Sequence, residues 1–248
     1  MQKSDQKPLA IFFGECSFSF TAAFLEKKCE LLLPNLDIIS TELCSEDRIK
    51  KEYNDCGSNL DRINQLNESN KTQDFDNDVN IFFEIDIGKF NLENPWQNNE
   101  NPERLQKWKE VLKGRQKFKQ MRFNFPWYKD SGHTYPIIKS LFEKADEYLD
   151  NDGRLIIALS TNFIHWNRYW WNLNCCNDLK DALRISNYNF ELENEENIFR
   201  KYPKYQHQSS IAGSNTYDIQ GVEYVLKKLK IDNFNQCHAI KQGALKHI

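Results

Sequence analysis

Four short stretches of the sequence carry side chains able to do chemistry together. Gly14-Glu15-Cys16-Ser17-Phe18 follows an apolar run. A glycine there lets the backbone turn tightly beside a ligand, and the helix expected next offers free amide donors at its N-terminus. Glu42 ends a second apolar run, where an acid can accept hydrogen bonds from both hydroxyls of a ribose. Its plainer reading is a solvated acid before a helix. Asp86 ends a third run and could accept from an adenine amino group. Asn124-Phe125-Pro126-Trp127 ends a fourth. There the Asn side chain and a nearby backbone carbonyl can both accept from an N–H of a planar base, proline can fix the turn and the indole can stack on the ring. That set suits methyl transfer to a ring or amino nitrogen. Taken alone, the same string also reads as a strand stopped by proline, with a core tryptophan.

These residues need a scaffold that ends strands side by side. The run Leu9–Phe13 reads as a strand buried on both faces, followed by a helix over Phe18–Lys28. A second strand covers Leu36–Thr41, and a helix follows over Ser45–Tyr53 with Ser45 as N-cap. A helix is expected over Asp55–Gln65, a polar loop over Asn67–Asp78 and a third strand over Val79–Ile85. An Asn- and Pro-containing connection, Asn91–Pro102, leads to a helix over Glu103–Leu112. The fourth strand is Phe118–Phe125. Over Thr134–Leu149, Ile137, Leu141, Phe142, Ala145, Tyr148 and Leu149 form one helical stripe. Asn151-Asp152-Gly153 is a strong turn before the fifth strand, Arg154–Ser160. Asn177–Ile185 reads as a helix, and Tyr188–Leu192 and Val222–Leu229 as the last strands. This alternation specifies an α/β fold with a mainly parallel sheet. In such sheets ligands bind at the carboxyl ends of the strands, which is where all four stretches fall.

The totals fit one globular unit, taken as 1–248 with its core over about 9–230. The 248 residues are 40% hydrophobic and 13% aromatic, with a formal net charge of −3. A wide nucleic-acid-binding face usually brings a basic excess, and the pI of about 6.0 shows none. Any such contact must come from local patches: Lys113, Arg115, Lys117 and Lys119, or Arg200, Lys201 and Lys204. Both also read as solvated loop residues. Seven cysteines without a CxxC, and a polar Met1–Pro8, imply reduced thiols and an intracellular, soluble protein. No Cys/His cluster has metal-ligand spacing, and no apolar run approaches a membrane span.

The order and wording of the four stretches resemble the large-subunit rRNA uridine-N3 methyltransferases, a class I S-adenosylmethionine-dependent family. IFFGECSFSF is similar to that family's Gly-Glu-Gly-Asp-Phe-Ser-Phe opening, IISTEL to its second strand, and FFEIDIGKF to its third. FNFPW resembles its Asn-Phe-Pro-His hallmark, and YPKYQHQSSIAG its late Tyr/Phe-Pro-x-Tyr-x-His segment, here Tyr202, Pro203, Tyr205 and His207. The resemblance runs from about residue 9 to about 225. It implies a Rossmann-like seven-stranded sheet with helices on both faces, and S-adenosyl-L-methionine as cofactor. Gly14, Glu15, Ser17, Phe18, Glu42 and Asp86 fall on the cofactor side, and Asn124, Pro126 and Trp127 on the target side. Cys16 and Ser17 stand where the family has Gly and Asp, and Trp127 where it has His.

The implied activity is N-methylation of an RNA base, uridine N3 of rRNA first, in the cytoplasm or, in a eukaryote, the nucleolus. A methyltransferase fold that binds without turnover, and a methyltransferase for a non-RNA substrate, remain the alternatives. Asp130 and His133 are candidate bases that also read as a loop acid and a helix-capping histidine. Trp166, Tyr169, Trp170 and Trp171 form an aromatic segment, divided between core and target site.

Overall fold

The computed structural model describes residues 6–31, 36–71, 78–96, 101–125, 134–160, 189–205 and 221–229. Seven strands form one sheet: β1 (Leu9–Phe13), β2 (Asp37–Glu42), β3 (Val79–Phe83), β4 (Phe118–Asn124), β5 (Leu149–Ser160), β6 (Phe190–Asn197) and β7 (Gly221–Lys228). Their order is β3-β2-β1-β4-β5-β7-β6. Strands β1 to β5 run parallel, and β7 lies antiparallel between β5 and β6. The chain reverses its direction of travel across the sheet between β1 and β4. That switch point opens a crevice at the carboxyl ends of the two strands.

The continuous apolar runs become central strands for the expected reason. All five residues of β1 and all six of β2 are buried, as a strand covered on both faces requires. One face packs on α1 (Ser19–Leu31), α2 (Glu46–Glu52), α3 (Cys56–Lys71) and α6 (Ile198–Lys201) through Phe20, Leu25, Ile49, Ile63 and Ile198. The other packs on α4 (Pro102–Leu112) and α5 (Thr134–Tyr148) through Trp108, Leu112, Leu141, Phe142 and Ala145. Helices thus cover both faces.

The structure moves several boundaries. Helix α3 continues to Lys71, through residues read as loop. Its last turns are anchored by Asn67 Nδ2, which donates to the Val79 carbonyl at 3.2 Å. Strand β3 stops at Phe83 because Glu84 takes a φ of 62°. The Asn151-Asp152-Gly153 turn lies inside β5: Leu149 already pairs with Phe118, and Asp152 at φ 65° absorbs the irregularity before Arg154 pairs with Gln120. Strand β6 runs to Asn197 despite its charges. It is an edge strand whose acids face solvent, and charge there blunts further pairing. Ser45 sits at the N-cap of α2 with extended backbone but makes no side-chain cap bond. The helix expected over 177–185 lies outside the described residues.

Candidate functional site

At the carboxyl end of β1 the chain bends through three residues with positive φ: Gly14 (63°), Cys16 (49°) and Phe18 (59°). Such conformations are strained for Cys and Phe and persist only where neighbours over-determine them. Several neighbours do so. Glu15 N–H donates to the Thr41 carbonyl at 3.1 Å, and Phe18 N–H to the Glu15 carbonyl at 2.9 Å. Asn59 of α3 donates to the Ser17 carbonyl at 3.0 Å. Ser17 is buried, and Phe18 is fully buried edge-on to Phe83. Gly14 is needed twice over, for its φ and because a Cβ there would lie 2.4 Å from Phe123 Cε2.

Two carboxylates frame this loop from beneath. Glu15 Oε2 accepts from Thr21 N–H at 3.0 Å and Thr21 Oγ1 at 2.8 Å, so it caps the first turn of α1. Its Oε1 is buried and has no hydrogen-bond partner among the described residues. Burial outweighs the Thr21 bonds and the nearby Arg122, and lifts the Glu15 carboxyl to about 7. Glu42, at the end of β2, reaches across to the loop. Its Oε2 accepts from Cys16 N–H at 2.7 Å and its Oε1 from Cys44 N–H at 3.3 Å. Burial raises its pKa too, against those backbone bonds. The Cys16 thiol, half-buried beside the Glu42 carboxylate and against Tyr53, is pushed well up by desolvation and by that carboxylate. Next to Glu42 stands Leu43, 47% exposed, an apolar side chain left open on the same edge.

Asp86 lies just beyond β3, more exposed than the other two acids. Its Oδ1 accepts from Gly88 N–H at 2.8 Å and caps the 3₁₀ turn Ile87–Lys89. The ends of β2 and β3 are tied together, since Ile85 N–H donates to the Glu42 carbonyl at 3.0 Å.

Across the switch point, Asn124 closes β4 and is buried. Phe13 pairs with Phe123, so Gly14 and Asn124 leave the sheet side by side. Phe125 turns away at φ 50° while its N–H still donates to the Ala158 carbonyl at 2.8 Å. Its ring lies nearly parallel to those of Phe199 and Tyr205, at 18° and 27°. Pro126, Trp127, Asp130, His133, the segment from Trp166 to Trp171 and His207 lie outside the described residues. Among the described residues, the structure therefore brings together Gly14, Glu15, Ser17, Phe18, Glu42 and Asn124 at neighbouring strand ends, with Asp86 one strand further out.

A group that sequence reading missed lies directly beneath Asn124. Arg122, 1% exposed, donates through NH1 to Glu223 Oε2 at 2.6 Å and to Asn124 Oδ1 at 3.2 Å. Glu223 Oε1 in turn accepts from Lys201 Nζ at 2.6 Å. The available signal was a charge in the middle of each of two apolar strands, where charges are rarely buried unless paired.

The basic runs divide. Lys113, Arg115 and Lys117 lie at the amino ends of the strands, opposite the crevice. Arg115 is engaged by Asp37 at 2.7 Å and the Lys7 carbonyl at 2.8 Å. In the second run Lys201 holds Glu223 and Lys204 pairs with Glu26 at 3.1 Å. Arg200 is exposed on α6. Among the described residues no group of three or more His, Cys, Asp or Glu could hold a metal ion, and no helix is long and apolar enough to cross a membrane.

Among solved structures, the 16S rRNA methyltransferase KamB superposes with a TM-score of 0.50 at 7% identity, covering 92% of this chain and 91% of that one. An rRNA methylase from Streptococcus thermophilus matches at 12% identity and a TM-score of 0.39, covering 91% and 89%. The fibrillarin pre-rRNA processing protein of Methanococcus jannaschii matches at 10% identity and 0.42, covering 90% and 66%. At 7% identity the likeness to KamB concerns the fold alone. No curated protein sequence matches the chain. Residues 11–209 match the family model described as BMT5-like, rRNA (uridine-N3-)-methyltransferase BTM5-like, a span that includes the β1 loop, Glu42, Asp86 and Asn124. The chain therefore belongs to the BMT5-like rRNA methyltransferase family and is an S-adenosylmethionine-dependent methyltransferase.

Proposed function

We propose that the protein methylates N3 of a uridine in rRNA, with the cofactor at the ends of β1 to β3 and the target base at the end of β4. Family membership supports the reaction and the substrate class. The structural observation that carries the placement is the pair of buried acids around the strained loop. Glu15 and Glu42 are both desolvated, and Glu15 keeps one oxygen without a partner. A buried acceptor without a donor is costly, and a cationic ligand offering an N–H would relieve it. S-adenosylmethionine carries such an ammonium group.

The residues present fit that cofactor. Glu42 would accept from the ribose hydroxyls, beside the backbone bonds it already makes. Asp86 has Oδ2 for an adenine amino group, since Oδ1 caps the turn. Leu43 offers an apolar face next to the acid. Glu15 Oε1 would take the ammonium. Ser17 and Phe18 act by holding the loop in place. When bound, S-adenosylmethionine supplies an electrophilic methyl carbon on a positively charged sulfur. What remains for the protein is to hold the acceptor nitrogen in line and keep water out.

On the target side Asn124 grips the base edge, Pro126 shapes the turn and Trp127 stacks on the ring. A paired base cannot reach these groups, so the target is a loop base or a flipped one. Arg200 and the aromatic faces around Phe199 suit a flanking phosphate and base. An rRNA substrate places the protein inside the cell, in the cytoplasm or the nucleolus.

The test is methyl transfer from labelled S-adenosylmethionine to total RNA, followed by reverse transcription. N3-methyluridine blocks the pairing edge, so a stop at one rRNA position is expected. Label confined to transfer RNA or protein would reject the proposed substrate.

A further inference from the structure

Asn124 does not stand alone at the end of β4. Positions 122 and 124 share a face of the strand, and the Arg122 guanidinium reaches up that face to Asn124 Oδ1. A guanidinium has only donors to offer. The contact therefore assigns the amide's orientation: its oxygen faces Arg122, and its NH2 group faces away. Asn124 Nδ2 is buried and has no hydrogen-bond partner among the described residues. The side chain at the target position is thus a fixed donor whose acceptor has still to arrive.

The support beneath it is expensive. Arg122 and Glu223 are 1% and 0% exposed, and Lys201 closes the row. The guanidinium also lies against two rings, 4.4 Å from the Phe20 centroid and 5.6 Å from that of Tyr202. Burial opposes ionisation of Glu223, yet Arg122 and Lys201 hold its carboxyl below the usual range. Glu15 adds a further negative charge near Arg122. Buried ion pairs seldom stabilise more than well-packed apolar residues of similar volume. A gain in position rather than in stability accounts for the expense.

We propose that Arg122, braced by Glu223 and Lys201, is a positioning residue that fixes Asn124 as a hydrogen-bond donor, and that this donor selects a base with a carbonyl beside the reacting ring nitrogen. Uracil meets the requirement, because N3 lies between two carbonyls. Adenine N1 lies between an amino group and a C–H and offers no carbonyl. Cytosine N3 has a carbonyl on one side and an amino group on the other, so it satisfies the donor only when its carbonyl side faces Asn124. A donor facing an amino group leaves both unpaired, and a site built to hydrogen-bond one group discriminates strongly against its replacement. The donor also stabilises the negative charge that spreads onto the carbonyl once the N3 proton has passed to bulk solvent, before the methyl is transferred. The inference rests on the proposed function, in that Asn124 must face the target base.

The isosteric variant Asn124→Asp keeps an acceptor for Arg122 and removes the donor. It should lower kcat about 100-fold, the scale of a lost oxyanion donor, while leaving S-adenosylmethionine affinity within about 2-fold. Arg122→Gln should lower kcat in the wild-type background and relax discrimination against an RNA with cytidine at the target position. In the Asn124→Ala background it should add less than about 3-fold, because residues that act through one another are not additive. Full additivity of the two, or wild-type turnover by Asn124→Asp, would overturn the proposal. If Arg122→Gln fails to fold by thermal melting, the Asn124→Asp result and its cytidine control decide. Failure of the wild-type protein to methylate any rRNA would instead reject the proposed function itself.

Discussion

Glu42 at the end of β2 holds the backbone of Cys16 in the β1 loop, with Cys16 N–H donating to Oε2 at 2.7 Å. One carboxylate thus shapes the β1 loop and, in the proposed function, also takes the ribose hydroxyls. Both functions depend on the same two oxygens. Replacing Glu42 by Ala frees two half-buried N–H groups, of Cys16 and Cys44, and should cost about 1–3 kcal/mol of stability. The same variant should weaken S-adenosylmethionine binding at least ~10-fold, the scale of one lost charge-assisted bond or more. Urea titration and calorimetry on one preparation read the two effects.

Glu15 makes the loop sensitive to pH. Its carboxyl ionises near 4.5 in an ordinary setting and near 7 in the fold. Between these values the folded state binds the proton more tightly than the unfolded chain. The group's contribution to stability is therefore complete below about 4.5 and is lost as pH rises through about 7. The loss amounts to at most roughly 3 kcal/mol. Glu15→Gln should flatten this dependence in urea titrations at a series of pH values. Affinity for the cationic cofactor should run the opposite way, rising through pH 7 in the wild-type protein and staying flat in Glu15→Gln.

Gly14 is irreplaceable for two separable reasons, a left-handed backbone and the Phe123 ring over its α-carbon. Gly14→Ala should destabilise by about 2–4 kcal/mol, part from strain and part from overpacking. Adding Phe123→Val removes the clash and leaves the strain. The pair should then show a favourable coupling of at least ~1 kcal/mol in denaturant titrations. Simple additivity would mean that the ring does not set the cost.

The central strands and the acids at their ends were legible because each follows an unbroken apolar run, as β1 and β2 show. Local patterning also placed Asn124 at the end of β4 and the strand that becomes β7, but not the antiparallel pairing of β7 with β5. The Arg122–Glu223 pair was not legible. Its members are 101 residues apart, and only the β4-β5-β7 neighbourhood brings them together. Nor could spacing show that Phe18 packs on Phe83 while Leu43 stays open. The Phe18 packing follows from the left-handed turns of the loop, and Cys16 and Phe18 give no local hint of them. The last turns of α3 were hidden by polar residues whose tertiary anchor, Asn67 to Val79, lies across a loop.

The central claim is that the ends of β1, β2 and β4 form one site for methyl transfer to uridine N3. The most direct measurement digests rRNA methylated with labelled S-adenosylmethionine to nucleosides and identifies the labelled one, for the wild-type protein and for Asn124→Ala. The account predicts N3-methyluridine as the labelled nucleoside, reduced at least ~100-fold by the substitution. Label in another nucleoside, or an undiminished yield from Asn124→Ala, would contradict it.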